Sequence, residues 1–95
     1  MRDMNLEGMG WRTPDDFYDA FLKAVGAPEW HGRNFNALRD SIAGGHINAV
    51  ELPYRIHVFG FDRMAPEAGQ IVKDFSDLIR EIHSEGYEVD VVIHP

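Results

Sequence analysis

The sequence predicts a small α/β domain whose elements follow the order β-α-α-β-α-β. Two stretches rich in β-branched and aromatic residues, Tyr54–Phe61 and Tyr87–Ile93, are typical of strands. Apolar residues at helical spacing fill the segment between them, and a connection of that length joins two parallel strands through a right-handed crossover. The length of 95 residues is that of one domain, so we expect residues 1–95 to form a single unit.

The first part of the chain predicts one strand and one helix. Met4–Gly8 is the candidate first strand. A helix follows, because Thr13 belongs to the residue types that cap helix starts and Pro14 suits the first helical position. The apolar stripe of this helix consists of Phe17, Phe21, Ala24 and Val25. Gly26 ends the helix and Pro28 prevents its continuation.

A second helix and a long third helix are predicted downstream. Asn34 or a neighbour caps the second helix, which ends at Gly44-Gly45. Its inward residues are Phe35, Leu38 and Ile42. The third helix begins at Pro66 and ends near Gly86, and its buried stripe consists of Ile71, Val72, Phe75, Leu78, Ile79 and Ile82. The last strand alternates apolar and acidic residues, with Val89, Val91 and Ile93 set against Glu88 and Asp90.

The charge balance indicates the kind of partner. The chain has 16 acidic and 9 basic side chains, a net charge of −7 at neutral pH. This excess argues against nucleic-acid binding, in which lysine and arginine neutralise phosphates, and favours a basic partner. The absence of cysteine excludes disulfides, thiolate zinc sites and a cysteine nucleophile. Because no signal-peptide pattern or membrane-length apolar run is present, we expect a cytoplasmic protein without membrane contact.

Acidic residues concentrate on one flank of the predicted third helix. They are Glu67, Asp74, Asp77, Glu81 and Glu85. Residues four positions apart lie above one another on a helix, so Asp77, Glu81 and Glu85 repel rather than pair. This flank is either a solvated surface that keeps the protein soluble or a surface that attracts a basic partner.

No arrangement typical of an enzyme occurs in the chain. The five histidines lack metal-binding spacings such as HExxH, and no phosphate-binding glycine loop or nucleophile elbow is present. One alternative is a small hydrolase that uses a His31–Asp40 dyad, but a loop histidine bonded to backbone is the simpler interpretation. We therefore predict a protein that is not an enzyme and that needs no metal or cofactor.

Trp30 has two interpretations. It lies in a predicted glycine-containing loop, where a large aromatic residue is either a core anchor or an exposed recognition residue. Because aromatic side chains are mostly buried, the residue type alone favours the core anchor. Tryptophan, tyrosine and arginine are nevertheless the residue types that dominate interface hot spots.

One segment, Ala27–Ile42, carries a specific pattern. A Pro-Glu-aromatic-x-Gly-x-Asn run leads into a helix with an Ala-Leu-x-Asp core. The residues that form it are Pro28, Glu29, Trp30, Gly32, Asn34, Ala37, Leu38 and Asp40. In this pattern the chain resembles the barstar family of intracellular inhibitors of the ribonuclease barnase. The likeness extends over nearly the whole chain, including Asp16-Phe17, the strand Tyr54–Phe61, Arg80-Glu81 and Glu85-Gly86.

The resemblance implies a three-stranded parallel sheet packed with helices, and a face of loop and second helix that plugs a ribonuclease active site. In the family, an aspartate at the position of Asp40 enters the enzyme's phosphate-binding site, and the residues at Trp30 and Glu81 flank it. The implied protein inhibits a basic extracellular-type ribonuclease or nuclease toxin and is monomeric when free. Its expected partner contacts are Trp30, Asn34, Asn36, Arg39, Asp40 and Glu81.

Two positions depart from the family's type member, which has an acid where this chain has Asn36 and an aromatic residue where it has Arg39. Arg39 adds a positive charge beside Asp40. It would pair either with Asp40 itself in the free protein or with an acidic residue of a different nuclease. The alternative function is therefore a barstar-fold immunity or regulatory module that binds a different nuclease toxin or another basic protein.

Overall fold

The segments predicted as strands form one sheet, and three helices pack beside it. The computed structural model describes residues 1–95. Its strands are β1 (Arg2–Glu7), β2 (Tyr54–Phe59) and β3 (Val89–Ile93), its helices are α1 (Pro14–Ala24), α2 (Phe35–Ala43) and α3 (Pro66–Ser84), and a short 3-10 turn spans Phe61–Arg63. The order along the chain is β-α-α-β-α-β, as predicted. None of the helices combines the length and the apolar character that a membrane crossing requires.

β2 is the central strand of the sheet. It pairs in parallel with β1 on one side and with β3 on the other, so the sheet order is β1-β2-β3. The register places Ile56 between Met4 and Val91. Helices lie in both connections, as the crossover between parallel strands requires. The three-stranded parallel sheet implied by the family resemblance is confirmed.

One face of the sheet and the inner sides of the helices form the core. At its centre, the Phe75 ring of α3 lies 4.8 Å from the Phe17 ring and 5.1 Å from the Phe21 ring, measured between centroids. All three side chains are fully buried. This aromatic cluster joins α1 to α3, and it thereby supports the helix that carries the acidic flank.

The ends and edges of the elements differ from the prediction. β1 begins at Arg2 rather than Met4, and β3 begins at Val89 rather than Tyr87. Pairing with the neighbouring strand determines where each strand begins, and residue preference alone does not predict that pairing. Phe35 and Ile71, which were predicted to face inward, are only half-buried.

Polar side chains begin the first two helices. The Asn34 side chain accepts a hydrogen bond from the Ala37 backbone N–H at 2.8 Å, so Asn34 caps α2 as predicted. Thr13 is the N-cap residue of α1. The Asp16 carboxylate accepts hydrogen bonds from the backbone N–H groups of Arg12 and Thr13, at 2.7 and 3.2 Å. These bonds, the one from Arg12 first, lower the pKa of Asp16 below its ordinary value.

Acidification is expected to destabilise the protein in part through Asp16. Because the folded-state pKa of Asp16 is lowered, its carboxylate stabilises the fold above the ordinary pKa of aspartate. This contribution disappears as the pH falls through the folded-state value. Urea unfolding of the protein and of Asp16→Asn across the acidic range measures the effect. The variant should be less stable at neutral pH and less sensitive to acid, and two parallel pH curves would contradict the prediction.

Candidate partner-binding surface

Helix α2 buries one side and exposes the other. The buried side consists of Leu38, Ser41 and Ile42. Asn36 and Asp40 lie on the opposite side of the helix and point into solvent. Arg39 lies between the two sides, toward α3, and its side chain is 30% exposed. The polar face predicted for the second helix is therefore divided between solvent and the neighbouring helix.

Arg39 binds two carboxylates of α3. Its Nη2 lies 2.7 Å from Oε1 of Glu81, and its Nη1 lies 3.1 Å from both carboxylate oxygens of Glu85. The arginine between them offsets the repulsion expected for Glu81 and Glu85. Pairing of Arg39 with Asp40 in the free protein, one of the two expectations for this residue, is wrong. Successive helical side chains point about 100° apart, so Arg39 faces α3 and Asp40 does not.

Asp40 is an exposed carboxylate that has no partner in its own chain. Its side chain makes no hydrogen bond or ion pair, because the adjacent Arg39 is engaged with α3. Asp40 and Trp30 line a shallow groove of about 100 Å³, whose other lining residues are His31, Gly32, Ala37 and Ile47. All the acceptor positions of the Asp40 carboxylate are therefore free for a partner.

Trp30 is a surface residue. It is 74% exposed, so the core-anchor interpretation is wrong. The buried tryptophan of this fold is Trp11, which is 9% exposed and packs edge-on against Phe17 with ring centroids 6.1 Å apart. In the loop between α1 and α2, the residue that turns inward is His31, and its neighbour Trp30 is thereby directed outward.

His31 attaches this loop to α2. Its Nδ1 donates to the Gly32 carbonyl at 2.7 Å, and its Nε2 pairs with the Ser41 hydroxyl at 2.8 Å. The interpretation of a loop histidine bonded to backbone is confirmed. Because both ring nitrogens are engaged, no hydrogen bond joins His31 to Asp40, and the hydrolase alternative lacks its dyad.

Arg33 attaches the same loop to α1. Its guanidinium lies 3.1 Å from the Asp15 carboxylate and also binds Asp19. The hydrogen bond that Arg33 donates to Asp19 is the main reason that the pKa of Arg33 is raised above its ordinary value. Sequence reasoning missed this role, because the partners are 14 and 18 residues away and no local pattern links them.

A wider, mostly polar groove of about 490 Å³ runs between α2 and α3. Its lining residues are Phe35, Asn36, Arg39, Asp74, Asp77, Leu78 and Glu81. The structure thus brings Asn36, Arg39 and Glu81 together in this groove and Trp30 with Asp40 in the smaller one. Asn34 lines neither groove and acts through its cap on α2. We call these six residues the candidate surface: Trp30, Asn34, Asn36, Arg39, Asp40 and Glu81.

The side chains of the candidate surface offer hydrogen-bond acceptors, charges and one exposed aromatic ring. No group of three or more His, Asp or Glu side chains in the chain is arranged to hold a metal ion. The largest groove, about 590 Å³, lies between β1 and α1 and contains none of these six residues.

Comparison with known proteins bears on this surface. A family model described as Barstar (barnase inhibitor) matches residues 1–94 of the chain. The matched range includes the loop, α2 and α3, and with them all six residues of the candidate surface. A search of curated proteins found no match.

Proposed function

This chain belongs to the barstar family, and from that premise we propose that it inhibits a barnase-type ribonuclease by covering the enzyme's phosphate-binding site with the loop and α2. The family is one of inhibitors rather than enzymes, and its partner class is a ribonuclease. The proposal includes action in the cytoplasm, as a single domain over residues 1–95 and as a monomer. The target is a basic extracellular-type ribonuclease or a nuclease toxin.

The observation that carries this proposal is the unpartnered carboxylate of Asp40 on the outward side of α2. A ribonuclease binds the phosphates of RNA with cationic side chains, and a carboxylate offers those side chains similar anionic oxygens. Trp30, at the same groove, offers a flat aromatic surface against which a cationic side chain of the enzyme can stack. Asp40 therefore occupies the phosphate position, and Trp30 covers its edge.

The loop and α2 are held in this geometry before a partner binds. Asn34 caps α2, His31 joins the loop to Ser41, and Arg33 joins the loop to α1. None of these contacts uses Asp40 or the exposed ring of Trp30. Little ordering is then required when the complex forms, which favours high affinity.

Inhibition of a barnase-type ribonuclease by the purified chain tests the proposal. We expect one chain to inactivate one enzyme molecule. The association rate should fall at least about ten-fold from low to high salt, because the acids of α3 attract a basic enzyme and salt screens them. RNA cleavage that continues undiminished in an excess of the chain would refute inhibition. An association rate that does not change with salt would refute only the electrostatic attraction.

The ion pairs of Arg39 favour a second candidate, in which the same surface binds a different nuclease toxin or another basic protein. Arg39 neutralises part of the charge of Glu81 and Glu85, and Asn36 is uncharged. The family's type member has an acid at the position of Asn36 and an aromatic residue at the position of Arg39. The groove between α2 and α3 is therefore less negative in this chain than it would be with those two residues. A target with fewer basic residues at this position fits such a groove better.

The paired substitution Asn36→Asp with Arg39→Trp separates the two candidates. If the natural target is a barnase-type enzyme, the wild type inhibits that enzyme strongly and the substitutions do not improve inhibition. If the target is different, the wild type binds the barnase-type enzyme weakly and the substitutions tighten binding at least about ten-fold. Titration calorimetry measures the affinity, and thermal unfolding checks that the variant folds.

A further inference from the structure

The outer edge of β1 has no neighbouring strand. β1 pairs only with β2, so one side of its backbone is left open. The Gly8 N–H donates to the Phe59 carbonyl at 2.9 Å, which shows that the backbone groups of Gly8 face β2. The backbone groups of successive strand residues alternate in direction, so those of Asp3, Asn5 and Glu7 point away from the sheet. Unpaired N–H and C=O groups of this kind are a template on which a further strand can form.

The opposite edge of the sheet is partly occupied by the chain itself. On β3, the Val89 carbonyl accepts a hydrogen bond from Nδ1 of His83, on α3, at 3.2 Å. The groove between β3 and α3 measures about 170 Å³. The groove between β1 and α1 measures about 590 Å³, and Asn5 and Glu7 are among its lining residues. β1 therefore combines free backbone groups with the larger space beside them.

Small side chains on α1 keep the groove beside β1 open. Ala20 and Ala24 lie four residues apart, so they are neighbours on one side of the helix. The other apolar lining residues are Leu6 and Trp11. The side chains of an added strand would alternate between the two faces of the sheet, and every second one would enter this groove. Apolar side chains at those positions fit the groove, because they would contact its apolar lining.

The charges beside the edge favour a basic segment. The acidic residues that line the groove are Glu7, Asp16 and Asp19, and Lys23 is the one basic residue among the lining. Arg33 pairs with Asp19, whereas the exposed Glu7 side chain makes no ion pair or hydrogen bond. The backbone N–H groups that bind Asp16 leave its negative charge in place. Cationic side chains of an added strand would lie beside the free carboxylate of Glu7 and balance this excess.

A second copy of β1 fits this edge poorly. The side chains of Asp3 and Glu7 lie on one face of the strand, opposite to Met4 and Leu6, which are buried in the core. Arg55, 3.6 Å from Asp3, balances only one of these two carboxylates. Pairing of two copies would bring the acids of both chains onto one face of the joined sheet, where like charges repel. The edge is therefore matched to a partner of opposite charge.

We propose that the β1 edge binds an extended segment of a basic partner protein in which basic and apolar residues alternate. The segment adds a fourth strand beside β1, and its backbone bonds to the N–H and C=O groups of Asn5 and Glu7. Its basic side chains lie beside Glu7 on the face of the sheet opposite the core. Its apolar side chains enter the groove beside Ala20 and Ala24. None of these residues belongs to the candidate surface, so this binding is separate from the proposed inhibition.

A capped peptide of alternating lysine and valine, as long as β1, is the probe. Nuclear magnetic resonance follows the exchange of backbone amide hydrogens in the full chain at neutral pH. At saturation, exchange at Asn5 and Glu7 should slow at least about ten-fold, and exchange at Leu6 should change less because its N–H already faces β2. The same peptide with methylated backbone nitrogens keeps its charge but cannot donate hydrogen bonds, and it should bind at least about ten-fold more weakly.

Two variants test the groove and the charge separately. Ala20→Trp fills the groove and Glu7→Lys reverses the charge at the edge, and each should weaken binding of the probe at least about ten-fold. Glu88→Lys is the matched control, because Glu88 is exposed and lies outside β1 and α1, and it should bind the probe as the wild type does. Thermal unfolding checks that each variant folds. If one does not, the exchange pattern of the wild type decides.

Protection on α3 instead of at Asn5 and Glu7 would mean that the acidic flank attracts the probe, and it would overturn the proposal. Equal binding of the methylated peptide, or of a peptide of alternating glutamate and valine, would overturn it as well. So would protection of Asn5 that grows with the concentration of the free chain, because two copies would then pair at this edge. The measurement uses no ribonuclease, so its outcome is independent of the proposed inhibition.

Discussion

Replacing Asp40 with alanine is expected to weaken inhibition of the target ribonuclease at least about thirty-fold, a loss of about 2 kcal/mol or more in binding free energy. The enzyme's cationic groups would be buried in the complex without the carboxylate that balances them, and an unpaired buried charge is strongly unfavourable. Because the Asp40 side chain is exposed and has no partner in its own chain, the fold should be unaffected. Inhibition constants and thermal unfolding measure the two effects separately.

Two further substitutions separate the role of Asp40 from that of net charge. Asp40→Asn keeps the shape of the side chain and removes its charge, and it should lose nearly as much affinity as alanine. Glu88→Gln removes one exposed charge outside α2 and α3, and it should change affinity by less than about 1 kcal/mol. Equal losses at Asp40 and Glu88 would mean that net charge alone governs binding.

Truncation of Phe75 to alanine is expected to lower the free energy of unfolding by about 3–5 kcal/mol. The Phe75 ring is fully buried against Phe17 and Phe21, so its removal leaves a cavity that close-packed neighbours fill only in part. A domain of this size has roughly 5–15 kcal/mol of stability in total, so the loss is a large share of it. Urea unfolding at neutral pH measures the change.

Phe75→Leu is the matched control, because leucine keeps most of the apolar volume and should cost clearly less stability. Inhibition per folded molecule should stay the same in both variants, since Phe75 supports α3 from the inside and Glu81 lies on its exposed flank. An alanine variant as stable as the wild type would show that the aromatic cluster does not join α1 to α3.

The parts of the fold that depend on neighbours in the sequence could be predicted. The spacing of Phe17 and Phe21 predicted the buried side of α1, and the residue type of Asn34 predicted the cap of α2. The crossover order predicted a parallel β2 and β3, because their connection is too long for a hairpin. These features follow from backbone geometry over a few residues, which the sequence reports directly.

The details of the candidate surface could not be predicted in the same way, because they depend on distant residues. Trp30 is exposed because His31 enters the molecule beside it, and residue type alone favoured the opposite. Arg39 pairs with Glu81 and Glu85, which follow it by more than forty residues, and adjacency to Asp40 in the sequence was misleading. The family resemblance identified the residues of the candidate surface. The contacts between these residues depend on how the helices pack, which the resemblance did not predict.

The bridge from Arg39 to Glu81 and Glu85 constrains the order in which mutations can accumulate. Losing Glu81 or Glu85 first leaves the half-buried guanidinium of Arg39 with one ion-pair partner fewer, while its charge stays. Losing Arg39 first makes the groove one charge more negative and leaves both carboxylates in place. A lineage can therefore move toward a more basic target in a single step at residue 39. Each route has a cost, since losing a glutamate leaves Arg39 with one partner fewer and losing Arg39 restores the repulsion between Glu81 and Glu85.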